Sequence, residues 1–385
     1  MMRSLEKTID GYRVLYFFLV FFFLNAPYYF YKQEAFHFVI IISSVLILVW
    51  YLFLWGIGRI KLGKISYLSI LYIVLIYLGS FFYFHNEVNF SELVSIIALI
   101  LFLPYEFTRH NKELLFTAML FFAFFSFWEL ILQIEHPYTN SEDTELWLFR
   151  TKNVVVRFVL PGAAFAIMYS YIYQRKFFSV LSLSCTTLSF ITILTSLSST
   201  GIIGGFVFLA FAFYVKRKKK FSVYYSIMPI LIATILFFLL IYYFNILDHF
   251  AFLIEDVLHK RTDLTDRTFV WETVLLLIMQ NPILGIGLQN MGDVFGYSHA
   301  HQYWLQSMLT SGIVGTIFLL LIYFISDVNI RKYRTDKIAG LLIAVVASFL
   351  IMGIDESLTG TPMLIPLINL AGLYKGYEKR TIISK

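Results

Sequence analysis

Residues 227–244, IMPILIATILFFLLIYYF, form an uninterrupted apolar stretch without a charged side chain. A helix needs roughly 20 such residues to cross the hydrocarbon core of a bilayer. Comparable stretches recur along the chain of 385 residues, of which 59% are hydrophobic and only 14% are charged. Soluble domains contain about 25% charged residues. The sequence therefore predicts an all-α polytopic membrane protein.

The apolar stretches predict about twelve transmembrane helices in one integral membrane domain, residues 1–385. The sequence shows neither an internal repeat nor a low-complexity tail, so it gives no indication of a second domain. The lone Cys185 excludes an internal disulfide and a cysteine-based metal site. The predicted spans are residues 12–31, 36–57, 65–84, 90–107, 113–132, 154–173, 177–196, 200–215, 221–245, 303–327, 337–353 and 362–376.

The basic residues predict the orientation of these spans. If the N-terminus is cytoplasmic, most of the 30 Lys and Arg residues fall on the cytoplasmic side, including the basic run 216–220. The positive-inside rule then places both termini in the cytoplasm. The net charge of +6 is spread over short connections that would lie against anionic lipid headgroups, so it requires no nucleic-acid partner.

Residues 247–302 form the longest polar segment and are predicted to be a large extracytoplasmic loop between spans nine and ten. Within it, Asp266 can cap a helix that starts near Arg267, and Asn281-Pro282 would end that helix. This helix is too short to span a bilayer, so we expect it to lie in the membrane interface. Its N-terminus and the guanidinium of Arg267 would together attract an anion such as a phosphate.

Two glycines and two histidines follow this helix. Gly285 and Gly287 predict a turn whose backbone angles or close contacts exclude a side chain. His299 and His301 would share one face of an extended strand but lie about 200° apart on a helix, so the sequence leaves open whether they act together. No third or fourth ligand is suitably spaced for a metal, and we predict neither a metal nor a cofactor.

The order and spacing of these residues resemble the O-antigen polymerase and O-antigen ligase superfamily. Its members carry an Arg, a Trp, a Pro-Leu-x-Gly-x-Gly turn, a His-Asn pair and a Gly-Ile-x-Gly motif at a fixed distance from the His. The distance from His301 to Gly312 fits this pattern, which selects His301 over His299. The matching residues are Arg267, Trp271, Pro282-Ile-Leu-Gly285-Ile-Gly287, His301-Gln302 and Gly312-Ile-Val-Gly315.

Two positions depart from the family pattern. Gln302 replaces the usual Asn and keeps an amide on a longer side chain. Members often have a second Arg in a Ser-Arg-Gly motif at the outer start of an earlier span, where this chain has Ser198-Ser-Thr-Gly201. Arg157, near the outer end of span six, is our candidate for the missing cation, and Arg150 is a weaker one. The alternative for Arg157 is snorkelling, or pairing with a loop carboxylate such as Glu145.

The resemblance implies a bacterial glycosyltransferase whose active site lies at the outer face of the inner membrane. The donor would be a glycan on undecaprenyl pyrophosphate, and the acceptor would be the next lipid-linked repeat unit of an O-antigen or capsule. Membrane lipid and a separate chain-length regulator are further implied partners. The predicted site residues are His301 for catalysis, Arg267, Arg157 and Arg150 for pyrophosphate binding, and His299, Gln302 and Tyr303 for substrate binding.

Three points stay open at the level of sequence. His301 can act as a general base or, if protonated, donate to the phosphate. An O-antigen ligase, which transfers finished glycan to a lipid A core or a protein, would share the donor chemistry of the polymerase that we favour. A polysaccharide or lipid transporter is a third interpretation, because twelve spans with both termini inside also suit a transporter. Against it, the long loop follows span nine and not span six, and the interior of the spans is nearly free of charge apart from Arg157.

Overall fold

The computed structural model describes residues 9–84, 90–140, 142–218, 220–222, 225–244, 267–287, 299–358 and 361–376, which are helical and contain no strand. Numbered in chain order, the helices are α1 (Gly11–Leu24), α2 (Tyr28–Tyr31), α3 (Glu34–Gly56), α4 (Lys64–Phe84), α5 (Phe90–Glu135), α6 (Lys152–Ile172), α7 (Lys176–Thr195), α8 (Ser199–Arg217), α9 (Ile227–Phe244), α10 (Arg267–Gln280), α11 (Tyr303–Ile330), α12 (Lys337–Met352) and α13 (Leu364–Leu373).

Seven helices within these ranges are long and apolar enough to cross a bilayer, namely α3, α4, α5, α6, α7, α8 and α11. The remaining apolar helices are shorter, with 10–18 residues, namely α1, α9, α10, α12 and α13. The prediction of an all-α polytopic membrane protein is therefore confirmed. The predicted count of about twelve spans is not supported. Most of the predicted loop 247–302 lies outside the described residues, apart from α10 and the short segments 281–287 and 299–302.

Predicted spans four and five, residues 90–107 and 113–132, form one helix in the structure. This helix, α5, leaves helical geometry at His110, where φ is −136° and ψ is 42°. The polar residues between the two spans therefore lie at a break that divides α5 into two helical segments. The two segments correspond to predicted spans four and five, although they follow one another without a loop.

Helix α11 is interrupted at Gly312, whose φ of 61° and ψ of −166° lie outside the helical region. The segment 282–287 packs against this interruption and exchanges backbone hydrogen bonds with it. The bonds run from Ile286 N to Leu309 O (2.7 Å), Gly287 N to Thr310 O (3.0 Å), Ile313 N to Pro282 O (2.8 Å) and Val314 N to Ile283 O (3.3 Å). Backbone groups that the break would leave unpaired are thus satisfied within the protein, as a bilayer interior requires.

The two glycines of the 282–287 segment are needed for this contact. Their φ angles of 68° at Gly285 and 78° at Gly287 belong to a region that side chains disfavour. A Cβ at Gly285 would collide with the backbone around Leu309, and one at Gly287 with the backbone of Ser80 in α4. The predicted glycine turn is confirmed, and it joins α4 to α11.

The turn that follows α12 is fixed between two other helices. Gly204 of α8 lies against Met352 at the end of α12, with no space for a Cβ. The backbone N–H of Tyr303, at the start of α11, donates to the carbonyl oxygen of Gly353 at 2.9 Å. Residues 353–358 are therefore held beside the starts of α8 and α11.

Replacing Gly312 by Ala tests the helix break. The new side chain would adopt a backbone conformation that is nearly restricted to glycine and would overlap with the carbonyl of Ile283. We expect a loss of at least about 2 kcal/mol of stability, seen as a lower Tm of the detergent-solubilised protein. Gly56→Ala, where no atom lies within 4 Å of the added Cβ, is the control and should leave the Tm nearly unchanged. Equal Tm values for both variants would contradict this assignment.

Candidate active site

Glu356, in the turn after α12, is the centre of a buried polar cluster. Its side chain is 3% exposed. One carboxylate oxygen, Oε1, accepts a hydrogen bond from Arg157 Nη2 at 2.8 Å and lies 3.2 Å from His299 Nε2. The other oxygen, Oε2, accepts from Asn153 Nδ2 at 2.7 Å. A buried charge is costly unless it is paired and hydrogen-bonded, and these three partners meet that requirement.

The surroundings of Glu356 keep its carboxyl group ionised. Burial alone would raise its pKa. The hydrogen bond with His299 and the positive charge of Arg157, together with the charges of the two histidines, outweigh burial and lower the pKa to about 2. The carboxylate is therefore anionic at neutral pH, where it neutralises the guanidinium of Arg157.

The start of α8 belongs to the same cluster. Ser198 caps α8 by accepting from the backbone N–H of Gly201 at 3.1 Å, and its hydroxyl donates to Asn153 Oδ1 at 2.7 Å. Asn153 and Arg157 are four residues apart on α6 and therefore share one helix face. Arg157 thus lies near the Ser198–Gly201 motif, in which the family carries the Arg that this chain lacks.

The two candidate arginines of the 150–157 region have different partners. Arg157 is 11% exposed and pairs with Glu356, so the suggested pairing with Glu145 was wrong. Glu145 instead lies 3.9 Å from Arg150, whose guanidinium also donates to the hydroxyl of Tyr28 at 3.0 Å. Arg150 is 48% exposed, and these two partners lie outside the Glu356 cluster. The structure brings Arg157, but not Arg150, to that cluster.

His299 and His301 lie side by side. Their ring centroids are 4.0 Å apart, so the two imidazoles are in direct contact. Ala300 between them accepts from Trp271 Nε1 at 3.0 Å and donates its own N–H to Gln306 Oε1 at 2.7 Å. His301 has a φ of 52°, uncommon for a residue other than glycine. The backbone of the pair is therefore held by both α10 and α11.

Helix α10 begins at Arg267 and ends at Gln280, as the sequence predicted. Trp271 lies one helical turn, about 6 Å, beyond Arg267. Trp271 donates a hydrogen bond to the carbonyl oxygen of Ala300, between the two histidines. The backbone of Arg267 therefore lies about one helical turn from the residue that holds the histidine pair. The side chain of Arg267 lies outside the described part of the structure.

The side chains of Gln302 and Tyr303 are engaged within the protein. Gln302 is fully buried, and its Oε1 accepts from Leu305 N at 2.6 Å to cap α11. The hydroxyl of Tyr303 pairs with that of Tyr323 at 3.1 Å. These contacts support the fold around the histidines. The predicted roles of Gln302 and Tyr303 in substrate binding stay predictions.

His299, His301 and Glu356 also form a possible metal-binding group, because their candidate ligand atoms all lie within 4.8 Å of one another. Arg157 donates to the same carboxylate oxygen that faces His299. A divalent cation would therefore lie beside a fixed positive charge, which opposes binding. This arrangement suits an anionic ligand better, and the absence of a metal stays a prediction.

Two members of the cluster, Asn153 and Glu356, were not predicted from the sequence. Glu356 had one signal, since Asp355-Glu356 is an acidic pair between two predicted spans. A buried Arg such as Arg157 needs an anionic partner, and this pair could have been proposed for it. Asn153 gave no comparable signal.

These features define a polytopic helical membrane protein in which an arginine–glutamate pair meets two histidines beside an interrupted helix. Residues 185–320 match a family model described as O-antigen ligase. The match contains both histidines and both glycine motifs, so the resemblance to the polymerase and ligase superfamily is confirmed. No curated protein and no solved structure matched the chain.

Glu356→Gln tests the electrostatics of the cluster. The pKa of about 2 in the folded protein lies below the ordinary value of 4.5, so ionisation stabilises the fold above pH 4.5. This stabilisation, about 3 kcal/mol, is lost as the pH falls from 4.5 towards 2. The Tm of the wild type should therefore fall over this window, while that of Glu356→Gln should start lower and change less.

The control for this measurement is Glu145→Gln, which removes a carboxylate that is 58% exposed. Exposed ion pairs contribute little to stability, so this variant should follow the wild type at every pH. A Glu356→Gln protein whose Tm runs parallel to that of the wild type through the acidic window would show that the carboxylate is not held ionised.

Proposed function

We propose that this protein is a glycosyltransferase of the polysaccharide-polymerase type. It transfers a growing glycan from undecaprenyl pyrophosphate to the next lipid-linked repeat unit at the outer face of the bacterial inner membrane. The observation that carries the proposal is the contact between the family-matched segment and the buried ion pair, made by His299 on Glu356 at 3.2 Å. Family members are glycosyltransferase-like enzymes, which supports the reaction class.

The proposed reaction is a single inverting displacement. An acceptor hydroxyl oxygen attacks the anomeric carbon of the donor sugar, and the bond from that carbon to the pyrophosphate oxygen breaks. The hydroxyl proton passes to a base, and the electron pair leaves with the lipid pyrophosphate. Because this leaving group is already good, the enzyme mainly needs to position two substrates and to stabilise the developing charge.

The cationic residues would bind the pyrophosphate. A guanidinium is always charged and can donate two parallel hydrogen bonds to phosphate oxygens. Arg267, at the start of α10, would combine its charge with the helix N-terminus. Arg157 would add a second positive charge from α6, because one of its nitrogens is committed to Glu356 and the rest of the guanidinium is not fixed by that bond.

The histidine pair would handle the proton. We assign His301 as the base, because it is the histidine that fits the family spacing. His299 would be a positioning residue: Glu356 fixes its ring, and that ring lies 4.0 Å from His301.

A ligase is the second candidate function, because the matching family model is itself described as O-antigen ligase. The donor chemistry would be the same, and only the acceptor would differ. The two enzymes leave different products when they are inactive. A blocked polymerase leaves single repeat units, whereas a blocked ligase leaves long chains on the lipid carrier.

His301→Ala and Arg267→Ala test the proposal in a strain that carries only the variant protein. We expect surface and lipid-linked glycans to stop at a single repeat unit, because either the proton acceptor or the charge that stabilises the leaving group is removed. Losses of such groups typically reduce rates by about 10²–10⁴-fold. The length profile of both glycan pools, resolved on gels at matched protein levels, is the measurement.

His136→Ala is the matched control, since this histidine lies in the connection after α5 and outside the cluster. Its glycan profile should equal that of the wild type. Long chains that accumulate on the lipid carrier in His301→Ala would identify a ligase. A normal surface ladder in both site variants would refute a catalytic role for these residues.

Metal independence is a separate prediction. The cations of Arg157 and Arg267 replace the divalent ion that many glycosyl and phosphoryl transfers use, so we expect purified enzyme to keep its rate in excess EDTA. Polymerisation in detergent with lipid-linked repeat units, with and without chelator, provides the measurement. Activity that disappears with EDTA and returns with Mg²⁺ or Mn²⁺ would contradict it.

A further inference from the structure

A cavity of about 420 Å³ lies beside the cluster, on the side of α1, α5 and α6. Its wall is formed by the connection from α1 to α3, the first turns of α5 and the start of α6. Arg157 is part of this wall and also binds Glu356. The cavity and the proposed catalytic cluster therefore share one side chain. Its volume falls within the range of about 300–1,000 Å³ that is usual for small-molecule sites.

The wall alternates polar groups with apolar faces. Besides Arg157, the polar side chains are a carboxamide, a carboxyl group, an imidazole, two phenols and two aliphatic hydroxyls, contributed by Asn25, Glu92, His37, Tyr28, Tyr31, Ser91 and Ser95. Apolar faces come from rings such as Phe149 and Phe158. Such groups both donate and accept hydrogen bonds. A sugar offers the matching combination of hydroxyl edges and apolar ring faces.

Asn25 points to a hydrogen-bonding ligand. Its side chain is buried, with only 4% exposed, and its Nδ2 has no hydrogen-bond partner among the described residues. A buried donor without a partner costs about 1–3 kcal/mol, and such groups call for an explanation in terms of function. A hydroxyl oxygen of a bound sugar would satisfy Asn25, whereas a polyprenyl chain has no acceptor to offer.

The charges of the wall argue against the pyrophosphate as occupant. Glu92 contributes a carboxylate to the same cavity to which Arg157 contributes a guanidinium. A pyrophosphate would find little net positive charge here, because Glu356 already neutralises Arg157. A neutral, hydroxyl-rich ligand suits this balance, because it can donate to the carboxylate and accept from the guanidinium.

The sequence positions of the wall residues indicate which of the two substrates the cavity binds. Polymerases and ligases share their donor chemistry, so the part specific to the acceptor should lie outside the family-matched residues 185–320. Every wall residue falls outside that range, between Leu24 and Phe158 or at Pro362. We propose that this cavity binds the sugar residues of the acceptor glycan, an inference that rests on the proposed function.

Direct binding of a free saccharide tests the proposal. The probe is the single repeat unit cut from the host strain's own surface polysaccharide, without lipid or phosphate, added to the purified full-length protein and followed by saturation-transfer NMR. We expect Asn25→Ala and Glu92→Gln to weaken binding by about tenfold, the effect of losing one hydrogen bond. The same variants should raise the KM for the lipid-linked acceptor with little change in kcat.

Glu106→Gln is the matched control. This buried carboxylate lies on the same helix as Glu92 and accepts from Tyr51 at 2.8 Å, but it does not line the cavity. Its saccharide affinity should equal that of the wild type. His301→Ala should also keep saccharide affinity, because it removes the base and no wall residue.

The outcomes separate this inference from the proposed function. Absent saccharide binding, or an equal loss in Glu106→Gln and Glu92→Gln, overturns the cavity assignment and leaves the glycan-profile test intact. Binding of undecaprenyl phosphate that weakens in Asn25→Ala while the saccharide does not bind would make the cavity a lipid site, which also overturns it. Saccharide binding as expected, combined with a normal ladder in both His301→Ala and Arg267→Ala, would refute the catalytic role of these two residues and keep a carbohydrate site.

Discussion

A bilayer interior contains no water to satisfy a backbone N–H or C=O group, so a helix can break there only where the protein itself supplies the missing partners. In this chain the break at Gly312 and the segment 282–287 supply each other's partners through four backbone hydrogen bonds. Because 282–287 directly follows α10, the exchange also fixes where that helix ends. Trp271 of α10 then holds the carbonyl of Ala300. The position of the histidine pair therefore depends on the helix break.

The second constraint is electrostatic. Glu356 and Arg157 are both buried, and neither charge would be tolerated alone in an apolar bundle. Their pairing brings together three parts of the chain that are far apart in sequence: α6, the turn after α12, and the residues just before α11. Asn153 connects the pair to the start of α8 through Ser198. A guanidinium can thus be kept inside the membrane protein without a net charge.

Much of this arrangement was predictable where the signal is local. The start of α10 at Arg267, its end before Asn281-Pro282 and the need for glycine at positions 285 and 287 all follow from neighbouring residues, and all are observed. The pairing of Arg157 was not predictable in this way, because its partner is 199 residues away and no local rule selects it. For the same reason, the sequence suggested Glu145 as an example of a loop carboxylate that could pair with Arg157, and it gave no ground for naming Glu356. The separation of spans four and five was also predictable, because the polar residues between them coincide with the break of helical geometry at His110.

The buried Arg157–Glu356 pair also has an evolutionary consequence. Arg157 precedes and Glu356 follows the family-matched segment 185–320. If that segment were exchanged between relatives, the histidines would come from the donor protein and both charged residues from the recipient protein. A lineage that loses either charge leaves the other uncompensated in a dry interior. The two positions should therefore change together, and their covariation across relatives would reveal a contact that pattern matching within the segment never sees.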